Sequence, residues 1–315
     1  MRLFRYCSAI CLLSSLSVIC FMQYEKLLSN TRRNCGGGKT PWGTWLTCEE
    51  VYGGQIYEVD PWGNGFQLTR IGGSGGYFES VAYDNRNVER PQFFVTEDAL
   101  NGAIRRYTPS SSAVDNAFIS GNNWGILSSS GGTTDYLVIN PTTSSIGSFY
   151  WSSSISAGRE SAQKFFSWNE GIDFSAGKLY ITTKKDKLLY ILDLDAGIYE
   201  SSSTESGAFN NQPDQIAHLI ANENNSNIDD ILYFCEDGGS DCGVHGRNTS
   251  GDFFSILDGP AYNTETTGLA FSPDKKHMYV SFQSDPGRIF DITREDGYPF
   301  DGATLDIKYH AIDYH

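Results

Sequence analysis

The sequence predicts an all-β fold, a β-propeller with about five recognisable blades. Three observations predict it. The 315 residues are 14% aromatic, contain 33 glycines and are only 19% charged, a composition that favours sheets and turns over helices. No stretch of ten or more residues keeps a convincing helical apolar period. One strand pattern recurs along the chain from Asn34 onward.

In that pattern an apolar, aromatic-rich strand ends in a small or thiol residue, and an acidic or polar pair follows. Trp45–Cys48 precedes Glu49-Glu50, and Phe93–Thr96 precedes Glu97-Asp98. Leu179–Thr182 precedes Thr183-Lys184, Leu232–Cys235 precedes Glu236-Asp237, and Met278–Ser281 precedes Phe282-Gln283. A loop and a returning strand come after each: Ile56–Asp60, Ile104–Tyr107, Leu189–Asp193, Phe253–Ile256 and Arg288–Ile292. Before four of the five lies another short strand with an acid at its start, namely Glu79, Glu170, Asp214 or Glu265. Five units of roughly 45–60 residues, each of three or four antiparallel strands, read as propeller blades rather than as a β-sandwich.

The innermost strand of each propeller blade lines a central channel. The strand-start acids Glu79, Glu170, Asp214 and Glu265 are therefore expected to form a carboxylate ring at one mouth. Like charges at such distances do not all stay ionised without compensation. The ring implies bound cations, and oxygen ligands favour calcium. Cys48, beside Glu49 and Glu50, reads either as a buried small hydrophobe or as a thiolate ligand for a softer ion such as iron or zinc.

Charge narrows the function further. With 38 Asp and Glu against 23 Lys and Arg, the formal charge is −15, so binding to nucleic acid through phosphate neutralisation is not expected. Arg2 and Arg5 precede an apolar run from Tyr6 to Met22. Residues 1–30 thus read as a signal peptide or signal-anchor-like leader, with membrane association only if that leader is retained. Residues 34–315 form the propeller domain. Two N-x-S/T sequons, at Asn224 and Asn248, fit secretion, and Cys235 and Cys242 are spaced for a disulfide in an oxidising compartment. Gly38-Lys39-Thr40 lacks the earlier glycine of a phosphate-binding loop and is followed by Pro41. Gly72-Gly73-Ser74-Gly75-Gly76 matches a nucleophile elbow in letters but reads as a turn, with no helix behind it.

The run Asn34-Cys35-Gly36-Gly37-Gly38-Lys39-Thr40-Pro41-Trp42-Gly43-Thr44-Trp45-Leu46-Thr47-Cys48-Glu49-Glu50 closely resembles the signature of the PhoX-type alkaline phosphatases. Gln212–Ile216, Phe234–Gly239 and Glu265–Asp274 also resemble that family, and the closing stretch is most like its eukaryotic algal or protist branch. The resemblance implies a secreted propeller that hydrolyses small extracellular phosphate monoesters at a centre of Ca2+ and Fe3+; the chain is expected to be a monomer. It implies Cys48 as an iron ligand and Glu79 and Glu170 as glutamates of the centre. Glu49, Glu97, Asp214, Glu236 and Glu265 complete the candidate metal shell. Cys48, Glu79, Glu170 and Lys39 are the catalytic candidates, and Asn34, Lys39 and Arg105 those for substrate binding. Trp168 stands where the family carries an arginine, and the signature starts directly after the leader. The resemblance therefore also implies a longer segment before Asn34, a closed ring of six blades in a complete member, and a catalytically inactive calcium-binding module as the alternative function.

Overall fold

A computed structural model describes residues 4–6, 24–63, 65–205, 209, 211–219, 231–239, 242–257, 264–284 and 287–300. The apolar run of the leader, the sequon at Asn224 and the last fifteen residues lie outside the described residues. Strand β1 (Phe4–Tyr6) pairs antiparallel with β2 (Tyr24–Lys26). The rest is a series of antiparallel meanders, as the strand repeat predicts.

The first blade is β3 (Asn34–Lys39), β4 (Trp45–Gly54), β5 (Ile56–Val59) and β6 (Phe66–Leu68), hydrogen-bonded in that order. The second runs β7 (Gly76–Asp84), β8 (Gln92–Glu97), β9 (Arg105–Thr108) and β10 (Thr133–Pro141), and β10 turns back as β11 (Ile146–Ser152). The third is β12 (Asn169–Ser175), β13 (Lys178–Thr183), β14 (Leu188–Asp193) and β15 (Ile198–Ser203). The fourth is β16 (Gln212–Leu219), β17 (Ile231–Asp237), β18 (Val244–Arg247) and β19 (Phe253–Leu257). The fifth is β20 (Thr266–Phe271), β21 (His277–Phe282) and β22 (Arg288–Thr293). The innermost strands follow one another around the channel, β3 against β7, then β12, β16 and β20.

Apolar cores lie between successive blades. Leu46 and Ile56 of the first meet Phe78 and Val95 of the second, and Ala82 and Phe94 of the second meet Ile172 and Ile181 of the third. Leu189 of the third meets Phe234 of the fourth, and Tyr233 of the fourth shares a cluster with Met278 and Val280 of the fifth. Both faces of central strands such as β8 and β17 are therefore buried, which explains why they read as near-continuous apolar runs.

Two helices depart from the helix-free reading: α1 (Ser111–Ser120) and α2 (Ile155–Phe165). With the β10–β11 hairpin they lengthen the interval between the second and third blades beyond the expected repeat. Their buried faces are made mostly of small residues, Ala113 and Ala117 with Val114 in α1 and Gly158, Ser161 and Ala162 in α2, so they carry little apolar period. Their caps were legible. Ser110 accepts from the Ala113 N–H and Gly121 ends α1 at φ +66°, while Ser154 accepts from Ala157. Cys235 and Cys242 are separate thiols rather than a disulfide. Asn248 is buried, and its Oδ1 accepts from the Asp252 N–H at 2.9 Å, so this sequon builds the β18–β19 turn.

Candidate metal centre

All five blades share one irregularity. Between the innermost strand and its neighbour the register slips, so that two inner residues stand opposite one outer residue. The pairs are Cys35-Gly36 opposite Cys48, Glu79-Ser80 opposite Thr96, Glu170-Gly171 opposite Thr182, Asp214-Gln215 opposite Cys235, and Gly268-Leu269 opposite Val280. A β-bulge re-aims the side chain it carries. Repeated around a channel, it aims Cys35, Glu79, Glu170 and Asp214 at one another. Oxygens of Glu79, Glu170 and Asp214 lie within 4.8 Å of one another, and ligand atoms of Cys35, Glu50 and Glu79 form a second group equally tight. Glu79 belongs to both.

Close approach of the inner backbones is part of this geometry. A Cβ on Gly36 would meet the Gln215 side chain and the Glu79 carbonyl at 2.6 Å, and one on Gly171 would meet the Ile216 nitrogen at 2.6 Å. Gln215 also accepts from the Gly268 N–H at 2.8 Å.

The three ring carboxylates are almost fully buried. Burial pushes Glu79 up to about 8, with Glu50 and Asp98 adding to the rise, while the Cys35 thiol donates to its Oε1 at 2.8 Å and opposes it. Burial and then the charge of Glu79 raise Glu170 and Asp214 well above the ordinary carboxylate range, and burial with Glu79 and Asp214 does the same to the Cys35 thiol. Burial and mutual repulsion thus disfavour the charged forms of these carboxyls.

Two residues beyond each outer partner stand Glu50, Asp98, Lys184, Asp237 and Phe282, three acids and one cation in the first four blades. Lys184 Nζ lies 2.6 Å from Glu170 Oε1, 2.9 Å from Asp237 Oδ2 and 3.5 Å from Asp98 Oδ2. Lys184 was missed from the sequence, although it sits in the repeat where other blades place acids. Asp98 Oδ1 is buried with no hydrogen-bond partner among the described residues. Glu265 differs from the expected ring position. Gly268 occupies the bulge of the fifth blade, and Glu265 lies three residues earlier, beside Asp237. Burial and then Asp237 raise it to about 7.

The remaining candidates are placed elsewhere. Cys48 is fully buried in the apolar core with Leu46 and Ile56. It occupies the position of Thr96 and Thr182, whose hydroxyls tie the next blade by donating to the Glu170 carbonyl at 2.6 Å and the Asp214 carbonyl at 2.8 Å. The thiol that meets the carboxylates is Cys35, on the inner strand. Glu49, Glu97 and Glu236 are each one residue before the channel-facing position and point the other way, as strand alternation requires. Glu49 accepts from the backbone N–H groups of Arg32 and Gln55 at 2.8 and 3.1 Å. Glu236 accepts from the Gly243 N–H and contacts His245 Nε2, both at 2.9 Å.

Glu97 pairs with Arg105, which is 1% exposed. The guanidinium also donates to the Gly72 and Gly75 carbonyls at 2.6 and 3.0 Å and lies 4.7 Å from the Phe78 ring centre. Arg105 is thus spent on the glycine turn and is not free for substrate. Lys39 is exposed at the far end of β3 from the bulge, so its catalytic and substrate roles are not supported by its position. Asn34 adjoins Cys35 and donates to Thr47 Oγ1 at 3.0 Å. Trp168, two residues before Glu170, takes φ +58°, an uncommon value for a bulky residue. Its N–H goes to the Ala99 carbonyl and its own carbonyl accepts from the Lys184 N–H at 2.8 Å.

Fold and site define a class, the β-propellers that gather acidic and thiol side chains at a channel mouth. The alkaline phosphatase PhoX family model matches residues 22–101, which span the first blade and the start of the second. The structure is similar to that of Pseudomonas fluorescens PhoX in complex with vanadate, a transition-state analogue, with TM-score 0.63, 17% identity, and coverage of 86% of this chain and 71% of that one. It is also similar, at TM-score 0.49 and 15% identity over 87% of this chain and 71% of the other, to a catalytically inactive virginiamycin B lyase from Staphylococcus aureus with quinupristin. No curated protein sequence matches. No helix among the described residues is long and apolar enough to cross a membrane.

Proposed function

We propose that the protein is a metal-dependent phosphomonoesterase acting on small phosphate esters outside the cell. The observation that carries this reading is the buried cluster of Glu79, Glu170 and Asp214, with Cys35 beside it, in a chain whose residues 22–101 match the PhoX family model. The residues fit cations. Three buried carboxylates meet with one ammonium among them, and an unpartnered Asp98 oxygen lies nearby. Their chemistry divides by donor. The all-oxygen group of Glu79, Glu170 and Asp214 suits calcium. The group of Cys35, Glu50 and Glu79 includes a thiol and suits iron, with Cys35 in the role first expected of Cys48. Glu79 is common to both groups and would be available to either ion.

Bound cations supply Lewis-acid stabilisation of the charge on a phosphoryl group. This answers how an acidic protein takes an anionic substrate. The chain's own part is to hold the donors. The bulges fix the direction of four side chains, and Thr96 and Thr182 lock the backbone behind Glu170 and Asp214. Glu97 and Arg105 brace the glycine turn beside Glu79's strand. Burial excludes water from the carboxylates, which strengthens their attraction for cations. The Cys35 thiol donates to Glu79 Oε1 at 2.8 Å, and that proton would have to leave for the sulfur to act as a ligand.

The test is to load the purified protein with calcium and iron and to assay an aryl phosphate from neutral to alkaline pH. Phosphate release that stops with a chelator and returns with the metals is the expected result. Protein that retains both metals and releases no phosphate overturns the reading. Calcium without iron, and no turnover, identifies a calcium-binding module.

A further inference from the structure

We propose that Lys184 is the phosphate-binding cation of this centre, a role that rests on the phosphatase reading above. The starting observation is a break in the repeat. Two residues beyond the bulge partner, the first, second and fourth blades present Glu50, Asp98 and Asp237, and the third presents Lys184. Placing an ammonium there in a chain of charge −15 is a specific feature of the third blade.

Position favours substrate contact. Lys184 is one-quarter exposed, whereas the ring acid it touches, Glu170, is almost fully buried. The ammonium therefore stands between the ring and the open mouth. Its backbone is fixed where β13 ends, because its N–H donates to the Trp168 carbonyl, and Trp168 in turn donates to Ala99 of the second blade. The stem is anchored while the tip is held by side chains alone.

The ammonium has three N–H donors, and three carboxylates stand around it, those of Glu170, Asp237 and Asp98. Once a cation engages Glu170, the ammonium 2.6 Å from its Oε1 is freed of that partner. A phosphate oxygen at the mouth is the natural acceptor, since charge-assisted hydrogen bonds to phosphate are among the stronger ones. Other bases are less well placed. Arg105 is enclosed by Glu97 and two carbonyls, Lys39 lies at the far end of β3, and Arg33 is largely solvated, 3.9 Å from Glu50. Lys184 thus serves as counter-ion to the empty ring and as substrate ligand in the filled one.

The experiment compares wild type with Lys184→Gln and Lys184→Arg, each loaded with calcium and iron. Metal content is measured directly, and inorganic phosphate is titrated calorimetrically. We expect equal metal content in all three, phosphate binding weakened roughly tenfold to a hundredfold in Lys184→Gln, and substantial retention in Lys184→Arg. With an aryl phosphate, KM should rise in Lys184→Gln. Unchanged phosphate affinity in Lys184→Gln overturns the proposal, and so does loss of metal in that variant, which would make the lysine a structural prop. Lys184→Arg keeps the charge and remains informative if the glutamine variant does not fold. A metal-loaded wild type that neither binds phosphate nor hydrolyses the ester rejects the phosphatase reading itself, a result separable from failure at Lys184 alone.

Discussion

Glu49, Glu97 and Glu236 are adjacent in sequence to Glu50, Asp98 and Asp237, yet the two sets have opposite surroundings. The first set is buried and hydrogen-bonded within its own blades, to backbone N–H groups, to Arg105 and to His245. The second faces the channel, where Asp98 and Asp237 share Lys184 and Glu50 groups with Cys35 and Glu79. One step along a strand changes the face. A carboxylate at one position braces the scaffold, and the next contributes to a field that attracts cations. The family resemblance does not separate the two, because both positions are acidic in three blades.

The largest expected effect lies on the channel side. Glu79→Gln removes the carboxylate common to both donor groups and should lower metal occupancy and phosphatase activity by at least about a hundredfold. Without metal it should leave stability unchanged or improve it, since it removes a carboxyl whose ionisation burial disfavours. Metal analysis and chemical denaturation in chelator check both halves. Wild-type metal content in this variant would remove Glu79 from the centre.

The scaffold side should respond in the reverse sense. Arg105→Met leaves Glu97 buried without its partner, and breaking a buried pair from one side costs about 3–5 kcal/mol. Denaturation midpoints should fall, while the protein that remains folded keeps its metals. Loss of metal without loss of stability would erase the distinction between the two sets.

The smallest effect is the pH dependence of the metal-free protein. Folding raises Glu79 to about 8 and Glu265 to about 7, above an ordinary value of 4.5. A carboxyl raised on folding binds more protons in the folded state, so its stabilising contribution is complete below about pH 4.5 and is lost as pH rises through the folded value. Urea melts in chelator should therefore show lower stability at pH 8.5 than at pH 6, by at least about 1 kcal/mol. Saturating calcium should weaken or reverse that trend. A stability that rises with pH in chelator would contradict the raised carboxyls.

The strand repeat, the acids Glu79, Glu170 and Asp214, and the turn character of Gly72–Gly76 are properties of local pattern, and the sequence alone determined them. Alternation and turn chemistry act over a few residues, so one chain read in order displays them. What the tertiary structure decided is which neighbour faces inward. Cys35 rather than Cys48 meets the carboxylates because a bulge shifts the alternation, and apolar patterning carries no mark of that shift. Gly268 takes the fifth ring position in place of Glu265 for the same reason. Arg105 turned from a substrate candidate into a brace, and Lys184 emerged as the ring's cation, because their partners lie on distant strands. Electrostatic roles are set by distance in space, and those distances exist only once the blades have packed.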